Sequence, residues 1–77
     1  MSLPSTTIER LSLYRRILIK YRFVSEPYIF SHDLARALGI KPVQVRKDIM
    51  LIGFTGNTNN GYHVVKLLGQ INKTLDP

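Results

Sequence analysis

The sequence contains no cysteine and no tryptophan among its 77 residues. The lack of cysteine excludes disulfide bonds and thiolate metal sites, and it fits a reducing, intracellular setting. Acidic residues are scarce as well, since five Asp and Glu stand against eleven Lys and Arg, for a formal net charge of +6. So large a surplus on a small domain attracts a polyanion such as nucleic acid, unless the basic surface serves only solubility.

Long hydrophobic runs are also missing. No apolar stretch approaches the roughly 20 residues that span a bilayer, and no charged leader with a cleavage site is present. We therefore expect a cytoplasmic protein without a membrane partner. The composition, 44% hydrophobic and 21% charged, is ordinary for a globular chain. A chain this short forms one compact unit, so we expect a single domain over residues 1–77.

The sequence offers little for catalysis or metal binding. His32 and His63 are the only histidines, and without cysteine these two side chains cannot make a four-ligand metal site unaided. His63 is expected to cap or flank the last helix. The acidic residues are scattered, with no pair on one helical face that could act as acid and base. We predict that the chain is not an enzyme and that it binds no metal or cofactor itself.

The first third of the chain predicts a helix followed by a strand. Apolar residues at helical spacing, including Ile8, Leu11 and Leu18, indicate one long or two short helices over residues 5–24. Residues 24–30 read as extended, and a short strand there could pair with a later hairpin. Four aromatic residues are expected to be core side chains rather than a platform for base stacking: Tyr14, Tyr21, Phe23 and Tyr28.

The middle of the chain has the spacing of a helix-turn-helix. Ser31 is expected to cap a second helix, and Gly39 to end it in a left-handed conformation. Pro42 stands at the first position of a third helix that runs to about Ile52. A tight turn of three or four residues between two short helices is typical of this motif.

The remainder predicts a hairpin and a closing helix. Residues 53–64, which we call the wing, hold three glycines and three asparagines around short strand formers, and this pattern indicates two short strands joined by a turn. A helix is expected over residues 64–75. The element order is that of a mainly α, winged helix-turn-helix fold with four to five helices and a short β-hairpin wing.

A helical wheel of residues 42–52 separates two faces. Val45, Ile49 and Ile52 form a core stripe, whereas Gln44, Lys47 and the flanking Arg46 lie on an exposed face. Glutamine can pair with adenine, and lysine or arginine with guanine or phosphate. The alternative is a solvated face with a stray ion pair at Asp48. Three exposed apolar residues favour contact with a thymine methyl or a partner: Val43, Met50 and Leu51.

The run Gln44-Val45-Arg46-Lys47-Asp48, preceded by Leu34-Ala35 and Leu38-Gly39, resembles the N-terminal domain of the Rex family of redox-sensing transcriptional repressors. The resemblance extends from Pro4 to about Leu75. It includes Pro4, Ile8, Arg10-Leu11, Leu13-Tyr14, Arg16, Ser31, Pro42, Gly53, Gly56 and Gly61-Tyr62.

This resemblance implies a homodimeric repressor whose two winged helices bind the halves of a palindromic operator in double-stranded DNA. In the family a C-terminal Rossmann domain binds NADH and NAD, and NADH drives release from DNA. This chain contains no Gly-x-Gly-x-x-Gly fingerprint. Any redox response is therefore expected to reside in a domain absent from these residues. The isolated domain is expected to be monomeric and to bind weakly.

The resemblance also assigns roles to residues. Lys47 would contact a base edge and Arg46 a phosphate, Ser31 would contact a phosphate at a helix start, and Arg10 and Arg16 would approach the DNA backbone or the second domain. The family wing carries an arginine that enters the minor groove, whereas this wing has neutral residues. The candidate DNA-binding residues are Arg10, Arg16, Ser31, Pro42, Val43, Gln44, Arg46, Lys47, Asn57, Thr58, Asn59 and Asn60.

A different class of function stays open on the sequence. A winged helix can serve as a protein-interaction module without binding DNA, and the neutral wing with the exposed apolar residues of the third helix fits that use. Double-stranded RNA is a weaker candidate, because its deep, narrow major groove does not admit a helix.

Overall fold

The computed structural model describes residues 3–23 and 27–76. These residues form four helices and two short strands. The elements in chain order are α1 (Ser5–Tyr21), β1 (Tyr28–Ile29), α2 (Ser31–Leu38), α3 (Pro42–Leu51), β2 (Tyr62–His63) and α4 (Val64–Leu75). The expected mainly α, winged helix-turn-helix architecture is confirmed. Within the described ranges, no helix has both the length and the apolar character that crossing a membrane would require.

One hydrophobic core joins all the elements. Helix α1 packs along α4, and α2 packs against α3. Leucine and isoleucine side chains from these helices are fully buried together with the ring of Tyr14. The expected inward face of α3 is confirmed, because Val45 and Ile49 are fully buried, and Leu67 and Ile71 of α4 are fully buried as well. Burial of this apolar surface is the main force that holds α3 to the body of the domain.

Helix α1 is one continuous helix, which decides between the two arrangements that its sequence allowed. Its buried side chains are Thr7, Leu11, Tyr14 and Leu18. The prediction that Ile8 belongs to this face was wrong, since Ile8 is 43% exposed. Positions 7, 11, 14 and 18 follow one helical stripe, and Ile8 is rotated by about 100° from it. Phe23 was also misplaced in the core, because it is 77% exposed.

The two helices of the helix-turn-helix meet as the turn residues predicted. Gly39 has φ 68°, so it ends α2 in the left-handed region that favours glycine, and Pro42 is the first residue of α3. The capping of α2 differs by one residue. Phe30 is the N-cap, and Ser31 lies inside the helix. The Asp33 carboxylate accepts a 3.0 Å hydrogen bond from the Phe30 backbone N–H, so this carboxylate satisfies the helix start in place of the serine.

The wing is simpler than a two-stranded hairpin. Its strand, β2, pairs antiparallel with β1 across the domain, so that Tyr28 lies opposite His63 and Ile29 opposite Tyr62. The arms of the loop are joined to each other by a single bridge between Asn57 and Gly61. The prediction of two wing strands was therefore wrong. The expected extended stretch at residues 24–26 lies outside the described residues.

Gly61 allows the wing backbone to pack closely against β1. Its φ is 80°, and a methyl group at this position would overlap the carbonyl oxygen of Ile29. Only a glycine therefore lets the wing backbone lie directly against β1. At the other end of β2, His63 caps α4 as expected, because its Nδ1 accepts a 3.3 Å hydrogen bond from the Lys66 backbone N–H.

Candidate nucleic-acid interface

The outer face of α3 carries two adjacent cations. Arg46 and Lys47 are both exposed, as the helical wheel predicted. Among the described residues, no carboxylate lies within 4.0 Å of either side chain. Two exposed positive charges on one helix face create a local positive potential that an anionic ligand would neutralise.

The only carboxylate of α3 points the other way. Asp48 follows Lys47 directly, yet its side chain is fully buried between α3 and α1. Arg10 of α1 pairs with it through two hydrogen bonds, from Nε to Oδ2 at 2.7 Å and from Nη2 to Oδ1 at 3.1 Å. The buried negative charge is thus compensated inside the domain. It does not reduce the positive charge on the outer face of α3.

Two further side chains complete the environment of Asp48. The Tyr14 hydroxyl donates a 2.6 Å hydrogen bond to Oδ2, and the Gln44 amide donates a 2.9 Å bond to Oδ1. Each carboxylate oxygen therefore accepts two hydrogen bonds, which uses its full acceptor capacity. We call Arg10, Tyr14, Gln44 and Asp48 the Asp48 cluster.

The ionisation of the cluster follows from this geometry. Burial disfavours the charged form of Asp48, but the hydrogen bonds from Arg10, Tyr14 and Gln44 outweigh it and hold its pKa below the usual value. The same contact with Asp48 raises the pKa of Arg10. Burial, and then the hydrogen bond to Asp48, raises the pKa of the Tyr14 hydroxyl. At neutral pH the cluster is one ion pair with a neutral tyrosine.

Two of the candidate residues thus occupy positions that the sequence did not predict. Gln44 was expected on the exposed face, but it is half-buried and its amide bonds to Asp48. Arg10 was expected at the DNA backbone or the second domain, or as a solvated arginine. Its side chain is 25% exposed and is held by Asp48. A wheel could have given a signal, since Asp48 lies only about 60° from Val45 at 100° per residue.

The structure brings several other candidate residues together around an open cleft. Ser31 at the start of α2 accepts a 3.4 Å hydrogen bond from Nη1 of Arg46. Asn57 and Thr58 of the wing face the same cleft, whose volume is about 310 Å³. Burial raises the pKa of Tyr62 in the wall, and the Arg46 charge opposes this rise. A hydroxyl, a guanidinium and a helix start suit an anionic group such as phosphate.

The remaining candidates are more dispersed. Arg16 is exposed on α1, and Pro42 is half-buried at the start of α3. Lys47, Met50 and Leu51 line a second, apolar concavity of about 320 Å³. Val43, Met50 and Leu51 are 45%, 69% and 58% exposed, in agreement with the helical wheel. The outer face of α3 therefore combines positive charge with apolar contact area.

The wing tip is neutral and internally ordered. Its four polar residues, Asn57 to Asn60, are all exposed. The side-chain oxygen of Asn57 accepts hydrogen bonds from the backbone N–H groups of Asn59 at 2.7 Å and of Asn60 at 3.2 Å. This turn uses one asparagine to shape the loop. The other three residues of the tip are exposed, and Thr58 among them borders the cleft.

Comparison with known proteins agrees with this geometry. Residues 2–49 match the family model described as "Putative DNA-binding protein N-terminus". The chain is 35% identical over 74 residues to the redox-sensing transcriptional repressor Rex of Maridesulfovibrio salexigens, covering 96% of this chain and 35% of that protein. It is 42% identical over 65 residues to redox-sensing transcriptional repressor Rex 2 of Thermotoga maritima, covering 84% of this chain and 30% of that protein.

A third relative, Rex of Desulforamulus reducens, is 37% identical over 68 residues, or 88% of this chain and 32% of that protein. The chain spans about a third of the length of these curated relatives. The family model covers more than half of the chain, including α1, α2 and most of α3 with Arg46 and Lys47. The chain belongs to the family of N-terminal DNA-binding domains found in the Rex redox-sensing transcriptional repressors.

Proposed function

We propose that this chain binds double-stranded DNA sequence-specifically as part of a Rex-like transcriptional repressor. Helix α3 enters the major groove, and the wing lies near the minor groove. The observation that carries the proposal is the outer face of α3, where Arg46 and Lys47 are exposed while the one carboxylate of the helix is buried and paired. A helix of this width fits the major groove of B-DNA.

Within this proposal the two cations have different roles. Arg46 lies beside Ser31 at the cleft between α2, α3 and the wing, which suits a phosphate at the groove edge. Lys47 stands among Val43, Met50 and Leu51, where it can reach a guanine edge and the apolar groups can touch a thymine methyl. Phosphate contacts position the protein, and base contacts give specificity.

The first test separates these two roles by substitution. We expect Lys47→Ala to cost about 1–3 kcal/mol on a specific duplex and to relax the preference at one base position. We expect Arg46→Ala to weaken binding to all sequences alike. It should also reduce the salt slope, which is the slope of the logarithm of the binding constant against the logarithm of the salt concentration, by about one unit. Fluorescence anisotropy would compare a duplex selected from a random library by the wild-type protein with a random-sequence duplex. Lys73→Ala, which removes a cation from the last turn of α4, is the matched control.

A salt series decides between DNA binding and the protein-interaction alternative. Phosphate contacts release counterions, so the logarithm of the binding constant falls steeply with the logarithm of the salt concentration. If duplex binding is absent, or if Lys47→Ala has equal effects on selected and random duplexes, the proposed groove contact of Lys47 is wrong. An apolar interface through Met50 and Leu51 would instead bind a protein partner with little salt dependence.

The wider role follows the named function of the relatives. Since these proteins are redox-sensing repressors, we propose that this domain supplies the DNA contact of such a repressor in the cytoplasm. The resemblance implies a homodimer on a palindromic operator, and a response to NADH and NAD through a dinucleotide-binding part outside these 77 residues. Analytical ultracentrifugation with and without the selected duplex would measure how many chains occupy one site.

A further inference from the structure

The Asp48 cluster lies directly behind the proposed DNA-reading face. Asp48 is the neighbour of Lys47 in α3, and consecutive Cα atoms are about 3.8 Å apart. Because α3 is one rigid helix, the orientation of the Asp48 side chain fixes the direction of Lys47, which leaves the helix about 100° away around its axis. The cluster joins α3 to α1 through residues that are 34 and 38 positions away in the chain.

Hydrophobic packing alone does not define this direction. Val45 and Ile49 bury their side chains in the core, but the hydrophobic effect is non-directional and tolerates small rotations of the helix. Hydrogen bonds weaken steeply when their angle deviates. The three bonds that Arg10 and Tyr14 of α1 donate to Asp48 therefore resist rotation of α3 about its axis, and the Gln44 bond within α3 holds the Asp48 side chain in its orientation. A separate hydrogen bond holds the C-terminal end of α3 to α4: the Gln70 side-chain amide donates a 2.9 Å hydrogen bond to the carbonyl oxygen of Ile52.

We propose that Asp48, Arg10, Tyr14 and Gln44 are positioning residues, which set the rotation of α3 and thereby determine how well it discriminates between DNA sequences. This inference rests on the proposed DNA binding. In this arrangement Arg10 affects the DNA-facing side of α3 indirectly, through its ion pair with Asp48. A side chain that reads a base edge must be held within about 0.5 Å and 10–20° of its productive geometry.

The decisive variant is Tyr14→Phe, because the Tyr14 side chain is fully buried in the domain's own core. It removes one hydroxyl and leaves every charge in place. We expect the ratio of selected-duplex to random-duplex affinity to fall about tenfold, equal to about 1.4 kcal/mol. The slope against salt concentration should stay that of the wild type, since no phosphate contact is lost.

A second variant distinguishes positioning from direct contact by Arg10. Arg10→Lys keeps the positive charge but loses the two-pronged pairing with Asp48. We expect it to reduce the affinity ratio as Tyr14→Phe does, while binding to random duplex is retained. Arg15→Lys is the matched control, because Arg15 lies on the same helix and pairs at 2.7 Å with the exposed Asp76. Its affinity ratio should equal that of the wild type.

A merely structural role is tested with Ile71→Val. Ile71 is fully buried in α4, so this change lowers the melting temperature without touching the Asp48 cluster. The proposal is wrong if Tyr14→Phe and Ile71→Val lower the affinity ratio equally. It is also wrong if Arg10→Lys reduces binding to random duplex as strongly as binding to selected duplex.

A measurement without DNA keeps this inference separate from the proposed function. Residual dipolar couplings of the ¹⁵N-labelled chain report the orientation of α3 relative to α1 and α4. We expect Tyr14→Phe and Arg10→Lys to change the couplings of α3, while those of α4 stay constant. If the wild type binds no duplex, the proposed function fails, and these couplings alone test whether the Asp48 cluster sets the orientation of α3. Unchanged couplings of α3 in both variants would overturn the positioning role.

Discussion

Helix α3 and the wing are held in place by different means. Helix α3 is oriented by side chains, because its buried carboxylate accepts three hydrogen bonds from Arg10 and Tyr14 of α1. The wing is held by the buried Tyr62 side chain and by backbone contacts, in which Gly61 lies against β1 and one bridge closes the loop. Their charges differ as well: α3 presents two exposed cations, and the wing tip presents neutral polar groups.

This difference separates two tasks within one interface. A helix held by directional side-chain bonds can present Lys47 with a defined orientation, which sequence discrimination requires. A neutral loop held by its backbone can approach a groove, but it contributes no counterion release. We therefore expect changes behind α3 to alter specificity and changes in the wing to alter stability or overall affinity.

The largest effect is expected where the wing contacts the strand. Gly61→Ala adds a methyl group that overlaps the Ile29 carbonyl oxygen at a φ of 80°. We expect a loss of about 3–5 kcal/mol in the free energy of unfolding, from backbone strain together with overpacking. Urea unfolding followed by circular dichroism would measure it.

Gly53→Ala is the control for Gly61→Ala. Gly53 has a similar φ of 74°, but no heavy atom lies within 4 Å of the added carbon. It should therefore cost only the strain of the left-handed conformation, about 1–2 kcal/mol. Equal losses for the two variants would show that close approach to β1 does not hold the wing.

The next effect concerns the buried ion pair behind α3. Tyr14→Phe removes a hydrogen bond to a charged group and is expected to cost about 1.5–3 kcal/mol of stability at pH 7. The pKa of Asp48 is lowered in the folded state. The stabilisation that ionised Asp48 contributes is therefore fully present above the pKa of Asp48 in the unfolded state. It is lost as the pH falls through the pKa of Asp48 in the folded state. The difference between wild type and Tyr14→Phe should shrink as the pH falls below about 4.

Urea unfolding at a series of pH values would measure this convergence. Ile71→Val again serves as the control, because it removes a buried methyl group and should cost about 0.5–1.5 kcal/mol at every pH. If the wild-type and Tyr14→Phe curves run parallel down to acidic pH, the hydroxyl does not stabilise the Asp48 carboxylate.

The smallest effect is expected from adding charge to the wing. Asn59→Arg places a cation at the exposed tip. The Asn59 side chain makes no hydrogen bond to the described residues, so the substitution removes none. We expect binding to selected and random duplexes to tighten alike, and the salt slope to steepen by about 0.9 for one additional phosphate contact. Asn59→Gln controls for side-chain length. An unchanged slope for Asn59→Arg would place the wing tip away from the DNA backbone.

Local sequence patterns predicted much of the fold and part of the site. The left-handed end of α2 at Gly39 and the start of α3 at Pro42 follow from local backbone chemistry, and both are confirmed. The exposure of Arg46 and Lys47 follows from the helical period, because a helix with a buried stripe must turn its opposite side to solvent. The errors at Ile8 and Phe23 arose because periodicity gives a helical stripe but does not fix its exact rotation or where it ends.

The sequence by itself determined the surplus of positive charge, the helix-turn-helix spacing and the cationic outer face of the third helix, since each depends on composition or on residues a few positions apart. Only the tertiary structure decided the pairing of Asp48 with Arg10 and Tyr14, and the pairing of β2 with β1 rather than with its own loop. Asp48 lies 34 and 38 positions from its partners in α1, and the paired residues of β1 and β2 are more than 30 positions apart. Such contacts depend on how the helices pack in three dimensions, and no local period encodes that packing.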